Sequence, residues 1–546
     1  MIQAKTVAKG SFWALFSNMA DKLLSFIYTI IIARLLIADE VGVFYFVLSV
    51  VGVLYIFTDL GLVYALNRYV PYLYGRKEFG KLRSLIGLSY FGGGFLTIIF
   101  TVAVFLLSET IAALLNQPSA APILQMMSIW LILKEIDNSS RGILRGRKKM
   151  MESEIILPIQ DFMKIILTLI ALYVVGFNAE ALSIGFLISF ALVLPLGLYY
   201  VLKDIKTWEK EEKKMTLREQ LGLSKEVITF GLVVTFISTM WMFIQYTDKV
   251  MLGYLMDDAL GQIAIYTMAL GLAKLVLIFP TAVARIFFPV VSELYSQNNF
   301  EELNKILKTS MKWLVMLIIP LALVIGIFGE NLLRLFYGDL YAQGEMVLLL
   351  FMFGLLIRSV FFLPQFVLSA MRMLAVEMKA VGVAAVSNIL LNFLFIPLWG
   401  INGAALASLI SFILLSVMIF YYSKKLFNFS FPRETYKPII AGIAALIIML
   451  LLKGAISDLI NVYVSGIDLG QELVGELSQK MIKFVAFGLM FVLAVFIYFI
   501  ALLLFKSFEE DELSIMEAAL RKAKVPQQYI SFMRSFLEAR WLKLGR

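Results

Sequence analysis

The chain has 546 residues, of which 61% are hydrophobic and 16% charged, with a formal net charge of +9. Soluble globular proteins sit nearer half apolar and a quarter charged, so lipid must solvate much of this chain. Cysteine and histidine are both absent, which excludes disulfides, thiol nucleophiles and zinc or haem sites built on those residues; neither a metal nor a cofactor is expected. Any proton coupling then falls to carboxylates.

Apolar runs of about 20 residues suffice to cross ~30 Å of hydrocarbon. They occur near 12–35, 41–65, 85–107, 123–144, 155–176, 180–202, 227–250, 260–285, 313–335, 345–371, 380–399, 401–423, 438–458 and 481–505. These fourteen spans are numbered 1 to 14 in chain order. No cleavable signal peptide is expected, because the first run has no small-residue cleavage site and continues as a full span.

The connections sort sharply by charge. One side holds the N-terminus, the loops near 66–84, 145–154, 203–226, 292–312, 372–379 and 424–437, and the tail from Lys506, with 35 Lys and Arg together. The opposite connections, near 36–40, 108–122, 177–179, 251–259, 336–344, 400 and 459–480, carry only Lys480. This bias expects the basic side to be cytoplasmic, with both termini inside a cell membrane. A positive charge gathered in such loops is a topological signal, and nucleic acid is not an expected partner.

Three short signatures recur in order. Gly176-Phe177-Asn178 with Ala181-Leu182 matches Gly400-Ile401-Asn402 with Ala405-Leu406 at an offset of 224. Tyr74, Phe79 and Leu82 match Tyr295, Phe300 and Leu303 at 221, and Leu36, Asp39 and Gly42 match Leu255, Asp258 and Gly261 at 219. Six spans per copy is an even number, so the copies are parallel repeats related by an axis along the membrane normal. The expected organisation is an N-lobe over 1–202, a polar cytoplasmic linker over 203–226, a C-lobe over 227–425, extra spans over 426–505 and a tail over 506–546. From Gln527 that tail reads as an amphipathic helix, with Tyr529, Ile530, Met533, Phe536, Leu537, Trp541 and Leu544 as its apolar stripe.

A charge at the bilayer centre costs roughly 2.5–3.5 kcal/mol on insertion scales, so such residues face a cavity or a partner. In span 4, Lys134, Asp137, Asn138, Arg141 and Arg145 fall within about 100° of arc. Asp161, Lys164 and Thr168 share a face of span 5, and Ser238, Gln245 and Lys249 one of span 7. Thr267, Lys274, Thr281 and Arg285 align in span 8, and Arg358, Gln365 and Ser369 in span 10. Arg34, Arg145 and Arg285 lie near span ends, where they can snorkel to headgroups. Adjacent Asp21 and Lys22 in span 1 point about 100° apart, so one of them faces any single cavity. Arg141, Lys164, Lys274 and Arg358, with Lys22, are the candidate cavity cations, and cations from both lobes suggest an anionic substrate such as a phosphate. Proton or sodium coupling would draw on Asp21, Asp59, Asp161 or Asp248.

Further motifs carry a family resemblance. They are Ala8-Lys9-Gly10-Ser11-Phe12-Trp13, Ala33-Arg34-Leu35-Leu36 leading to Val41-Gly42, Asp59-Leu60-Gly61-Leu62, and Asp248-Lys249-Val250-Met251-Leu252-Gly253. In these the chain resembles the polysaccharide transporter branch of the MOP exporter superfamily, the Wzx-type oligosaccharide flippases. The resemblance covers roughly 1–425 and extends more weakly over spans 13 and 14. It implies an all-α polytopic fold with two six-helix lobes in a MATE-like V shape, and alternating access. It also implies a polyprenyl phosphate- or pyrophosphate-linked oligosaccharide moved from the cytoplasmic to the outer leaflet for cell-surface glycan assembly, with cavity Arg and Lys engaging phosphate and sugars.

Two other readings compete. A MATE-type multidrug or cation antiporter wants an acidic or aromatic cavity, against which the cationic faces count. A membrane glycosyltransferase or polymerase needs room for catalytic carboxylates, and the longest outer loop, near 459–480, offers little. No Walker-type phosphate loop occurs, which argues against direct ATP drive. The cysteine-free chain makes the topology directly testable. Single cysteines in 146–154, 203–226 and 506–546 should be labelled from the cytoplasmic side and those in 459–480 from outside; an external signal from 203–226 would overturn the arrangement.

Overall fold

The computed structural model describes residues 2–59, 61–208, 216–371, 373–465 and 472–508, with residues 517, 521, 526–528 and 531 of the tail. The tail helix expected from Gln527 and the side chains of Asp59, Ser238 and Arg285 lie outside the described residues. Among the described residues there is no strand, and eleven helices are long and apolar enough to cross a membrane. That is the architecture lipid enforces, because only a helix satisfies its own backbone hydrogen bonds within one segment.

Spans 11 and 12 form a single 54-residue segment, Leu374–Phe427. Straight, it would extend ~80 Å, far beyond any bilayer. Gly400 interrupts it with φ 54° and ψ −131°. Asn388 Nδ2 then lies 3.3 Å from Ser408 Oγ, although 20 residues separate them. On one straight helix that separation would be ~30 Å, so the segment is a hairpin of two antiparallel helices. Span 7 lies within the longer helix Leu217–Leu255, which opens on a Thr216–Glu219 capping box. The expected outer loop near 459–480 is shorter than its polarity suggested. Helices Tyr436–Ser465 and Glu472–Leu504 run into it, and Glu472, Leu473, Glu476 and Leu477 are good helix formers that need no lipid to continue the helix.

The repeat survives as geometry. Gly176 and Gly400 both take positive φ, 127° and 54°, which is where an L side chain would be strained. Lys77 and Asn298, 221 residues apart, also match at φ 57° and 55°. Each turn is followed by a helix beginning at Phe79 or Phe300. The edge-to-face pair Tyr74–Phe79, with centroids 5.6 Å apart, has its counterpart in Tyr295–Phe300 at 6.0 Å. Leu82 and Leu303 are both fully buried.

The two halves meet near the basic loops, where Gly61 faces the Gly231 backbone, and again at the opposite end. Gly42 faces the backbone of Leu260, where an added Cβ would lie 1.8 Å from the carbonyl oxygen. Gly261, its equivalent in the repeat, faces the Asp39 carboxylate at 2.7 Å by the same measure. Asn116 Nδ2 and Gln117 Nε2 donate to the Tyr254 and Gly253 carbonyls at 2.8 and 3.0 Å. Arg34, rather than snorkelling to lipid, donates to the carbonyls of Arg334, Leu335 and Phe336 at 3.0, 2.5 and 2.9 Å. Those carbonyls end the helix Gly329–Phe336, and a cation there also meets the negative end of the helix dipole. Arg145 likewise has a protein partner, Glu154 at 2.8 Å.

On the basic side, the loop after span 4 is held by one buried carboxylate. Asp204 accepts from Arg147 Nε at 2.7 Å, Lys149 Nζ at 2.9 Å and Trp208 Nε1 at 3.2 Å. The Arg147 guanidinium also lies 3.1 Å over the Tyr74 ring.

The Gly42 contact leaves no room for a side chain. Gly42→Leu should therefore hold spans 2 and 8 apart, and a cysteine introduced at Lys22 should react at least several-fold faster with a membrane-impermeant thiol reagent added from outside. Unchanged labelling would show that this contact does not close the cavity.

Candidate substrate cavity

The charged faces read from the sequence assemble into two unlike sites. In the N-lobe, the helix Ile129–Gly146 turns its polar residues inward, and they neutralise one another. Arg141 Nη2 lies 2.9 Å from Asp137 Oδ2 and 3.0 Å from Asn138 Oδ1, leaving Nε without an acceptor. Asn138 donates to the Tyr55 hydroxyl at 2.8 Å, and Tyr55 donates to Glu135 Oε2 at 3.1 Å. Lys134 Nζ is 4.0 Å from Asp137 and 5.7 Å from the Phe190 ring centroid.

Span 5 repeats the pattern. Lys164 Nζ lies 2.7 Å from Asp161 Oδ1 and 4.8 Å from the centre of the Tyr28 ring. Asp21 of span 1 lies within electrostatic reach of Asp161, Lys22 and Lys164. Neighbouring carboxyls favour a proton or a cation between them. Arg141 and Lys164 are therefore placed together with their own carboxylates.

The C-lobe differs. Arg358 is buried, with its guanidinium 5.0 Å from the Trp241 ring and 5.1 Å from the Phe362 ring. Its Nη2 donates to Gln365 Oε1, while Nη1 is buried without a partner. Gln365 Nε2 and Ser369 Oγ in turn donate to the two oxygens of Glu377, at 2.6 and 2.8 Å. The predicted face Arg358–Gln365–Ser369 is thus tied together by Glu377, which sequence reading missed because it lies just before span 11.

Lys274 opens a short tightened turn, Lys274–Leu277, inside span 8. Neither Lys274 nor Lys22 forms an ion pair or hydrogen bond among the described residues. Lys22, Lys249 and the Asp248 carboxylate all lie within electrostatic reach of Lys274, so charges from the two lobes converge there. Lys249 Nζ donates to the Gln245 carbonyl at 3.1 Å.

A second node missed from sequence surrounds Asp248. Its carboxylate accepts from Tyr266, from Asn392 Nδ2 at 2.8 Å and from Ser408 Oγ at 2.6 Å. Asn392 Nδ2 also reaches Asn388 Oδ1 at 3.2 Å, and Asn392 Oδ1 is buried without a partner. The signal was present: two amides four residues apart in an otherwise apolar span share one helix face. Among the described residues no group of three or more carboxylates is placed to hold a metal.

Helical lobes meeting around convergent charge define a multi-pass transporter fold. Its similarity to solved structures agrees. The lipid II flippase MurJ in its inward closed conformation superposes with a TM-score of 0.63, covering 87% of this chain and 97% of that one at 17% identity. An inward-facing multidrug resistance MATE transporter of the MOP superfamily gives 0.57, covering 75% and 94% at 16% identity.

The family is given by sequence. The polysaccharide biosynthesis protein model matches residues 7–295, and the chain belongs to that family; the MatE model matches residues 232–394. The probable low-salt glycan biosynthesis flippase Agl15 of Haloferax volcanii is 23% identical over 78% of this chain and 85% of its own length. The capsular polysaccharide biosynthesis protein CapF of Staphylococcus aureus is 22% identical over 75% and 98%.

The two kinds of cation should respond differently to neutralisation. Arg141→Gln strands Asp137 in a buried site and should cost ~3–5 kcal/mol, seen as reduced expression and thermal stability. Lys274→Gln removes a partly solvated charge with no partner and should leave stability within about 0.5 kcal/mol of the parent. Equal destabilisation of both variants would refute the distinction.

Proposed function

We propose that the protein is a flippase that moves a polyprenyl phosphate- or pyrophosphate-linked oligosaccharide from the cytoplasmic to the outer leaflet of the cell membrane. The N-lobe over 1–202 and the C-lobe over 227–425 rock about the contact between spans 2 and 8, with both termini cytoplasmic. One observation carries this reading: Lys22 and Lys274 lie within electrostatic reach of one another from opposite lobes, neither in an ion pair or hydrogen bond among the described residues, and Lys274 shares a cavity with the half-satisfied Arg358 guanidinium. Cations gathered away from lipid without neutralising partners are unfavourable until an anion arrives. Phosphate supplies that anion, and the glycan-flippase names of relatives support a lipid-linked sugar as its bearer. The family and its relatives favour transport over catalysis.

In this reading Lys22, Lys274 and Arg358 contact the phosphate. Arg141 and Lys164, already paired, shape the polar wall that faces the sugars. Asp248, with the free Asn392 oxygen, and the Asp21–Asp161 pair are the coupling positions, holding a monovalent cation and a proton respectively. The oxygen-rich surroundings of Asp248 suit a hard cation, while two neighbouring carboxyls suit a shared proton.

Transport of a fluorescent lipid-linked oligosaccharide into proteoliposomes tests the proposal. The wild type should equilibrate the lipid between leaflets, and Lys22→Gln or Lys274→Gln should slow this at least tenfold with normal folding. Asp248→Asn should abolish sodium dependence, and Asp161→Asn should flatten the pH dependence. Wild-type protein that moves no lipid-linked sugar, or charge variants that move it normally, would end the reading.

A further inference from the structure

Spans 7 and 11 leave a groove of about 490 Å³ between them, on the outside of the C-lobe. Phe236 and Met240 of span 7 face Val383 and Val386 of span 11 across it. Phe236, Val383 and Val386 are exposed, so the groove opens to lipid rather than into the protein. Gly382 lies between these walls, and a Cβ added there would meet no atom within 4 Å. Lys379 also lines the groove, where span 11 begins at the basic side. It is exposed and has no ion pair or hydrogen bond among the described residues. Helical spacing places Lys379, Gly382, Val383 and Val386 on one face, over ~10 Å of helix.

The groove stands back to back with the cavity that holds Arg358. Trp241 and Glu377 line that cavity, and their chain neighbours Met240, Met378 and Lys379 line the groove. Neighbouring residues on a helix point ~100° apart, and residues two apart ~200°. The same two helices therefore show the cavity one face and the groove another.

The chemistry of the groove selects its occupant. Its walls require hydrocarbon, which a sugar, a nucleotide or a water-soluble partner does not bring. Its one ammonium requires an anion at the basic end, where headgroups lie and where the cytoplasmic leaflet carries its negative charge. A neutral lipid fills the walls and leaves Lys379 unmatched. A second apolar helix does the same and buries the lysine as well, at a cost. A phospholipid with one net negative charge matches both walls and ammonium.

We infer that this groove binds an anionic phospholipid of the cytoplasmic leaflet, with its phosphate at Lys379 and an acyl chain between Phe236 and Val386. Bound there, the lipid braces span 7 against span 11 directly behind Trp241 and Glu377. The site does not depend on what the cavity carries.

The test uses the full chain, stripped of lipid in detergent and titrated with phosphatidylglycerol or phosphatidylcholine under native mass spectrometry. The first phosphatidylglycerol should bind about fivefold more tightly than phosphatidylcholine, the preference one lysine near a charged headgroup supplies. Lys379→Gln should bind the two lipids equally and Lys379→Arg should keep the preference. Lys425→Gln, which removes an exposed cation at the same end of span 12, should leave it unchanged. Gly382→Phe fills open space and should displace the first lipid. Phosphatidylglycerol should change tryptophan fluorescence in the parent and not in Trp241→Phe. Equal binding of both lipids by the parent would overturn the inference, as would the same loss from Lys425→Gln as from Lys379→Gln, because either reduces the groove to ordinary surface. A fluorescence change that persists in Trp241→Phe would overturn the placement behind the cavity. A dimer that Gly382→Phe dissociates would assign the groove to a second copy of the chain. Lys379 is exposed, so its variants decide the question whether or not Gly382→Phe folds.

Discussion

A charge within the hydrocarbon must be neutralised or solvated, and this constraint organises the protein. In the N-lobe it is met within the chain: Arg141 with Asp137, Lys164 with Asp161. Asn138 accepts a further hydrogen bond from Arg141 and is itself tied through Tyr55 to Glu135; without such bonds a buried pair would not repay its desolvation. Arg141 and Lys164 are consequently paired, while Lys22 of the same lobe has no ion pair or hydrogen bond among the described residues. In the C-lobe the constraint is left partly unmet. Arg358 is held between two aromatic rings, a setting that suits a weakly hydrated guanidinium, and one of its nitrogens still lacks an acceptor.

This asymmetry arises in a chain built from two copies of one plan. The copies keep the features that set backbone geometry: positive φ at Gly176 and Gly400, left-handed turns at Lys77 and Asn298, and the ring pairs that follow those turns. They differ in the side chains that face the interior. Under the proposed function, the duplicated scaffold supplies two bodies that move against one another, and divergence of its inner faces gives each a different charge pattern. Gly42 and Gly261 lie where this matters mechanically, since each removes a side chain from the contact between lobes. The Gly42 contact with the Leu260 backbone is tight, with no room for a side chain.

The nodes differ in what they can exchange. Asp248 accepts from neutral hydroxyl and amide donors, and the Lys249 and Lys274 ammonium groups stand within electrostatic reach of it. Asp248 also borders the Arg358 cavity. Occupying one site alters the field at the other, a short physical route by which a coupling ion can bias anion binding.

Composition and pattern alone determined the membrane class, the helical fold, the basic face and the internal repeat, because each follows from local rules: apolar run length, loop charge and recurring turn residues. The faces Arg358–Gln365–Ser369 and Asp161–Lys164 were legible too, since helical periodicity places those residues together whatever surrounds them. Only the tertiary structure decided which cations are spent. Glu377 and Asn392 lie on one arm of the hairpin and Ser408 on the other, while Trp241 shares the helix of Asp248; no periodicity links Glu377 or Trp241 to Arg358, or Asn392 and Ser408 to Asp248. The hairpin at Gly400 brings Ser408 to Asn388, and with it to Asp248, a proximity that depends on one glycine adopting a backbone conformation closed to other residues. Pairing in three dimensions, rather than the presence of charge, separates a structural cation from one that awaits a ligand.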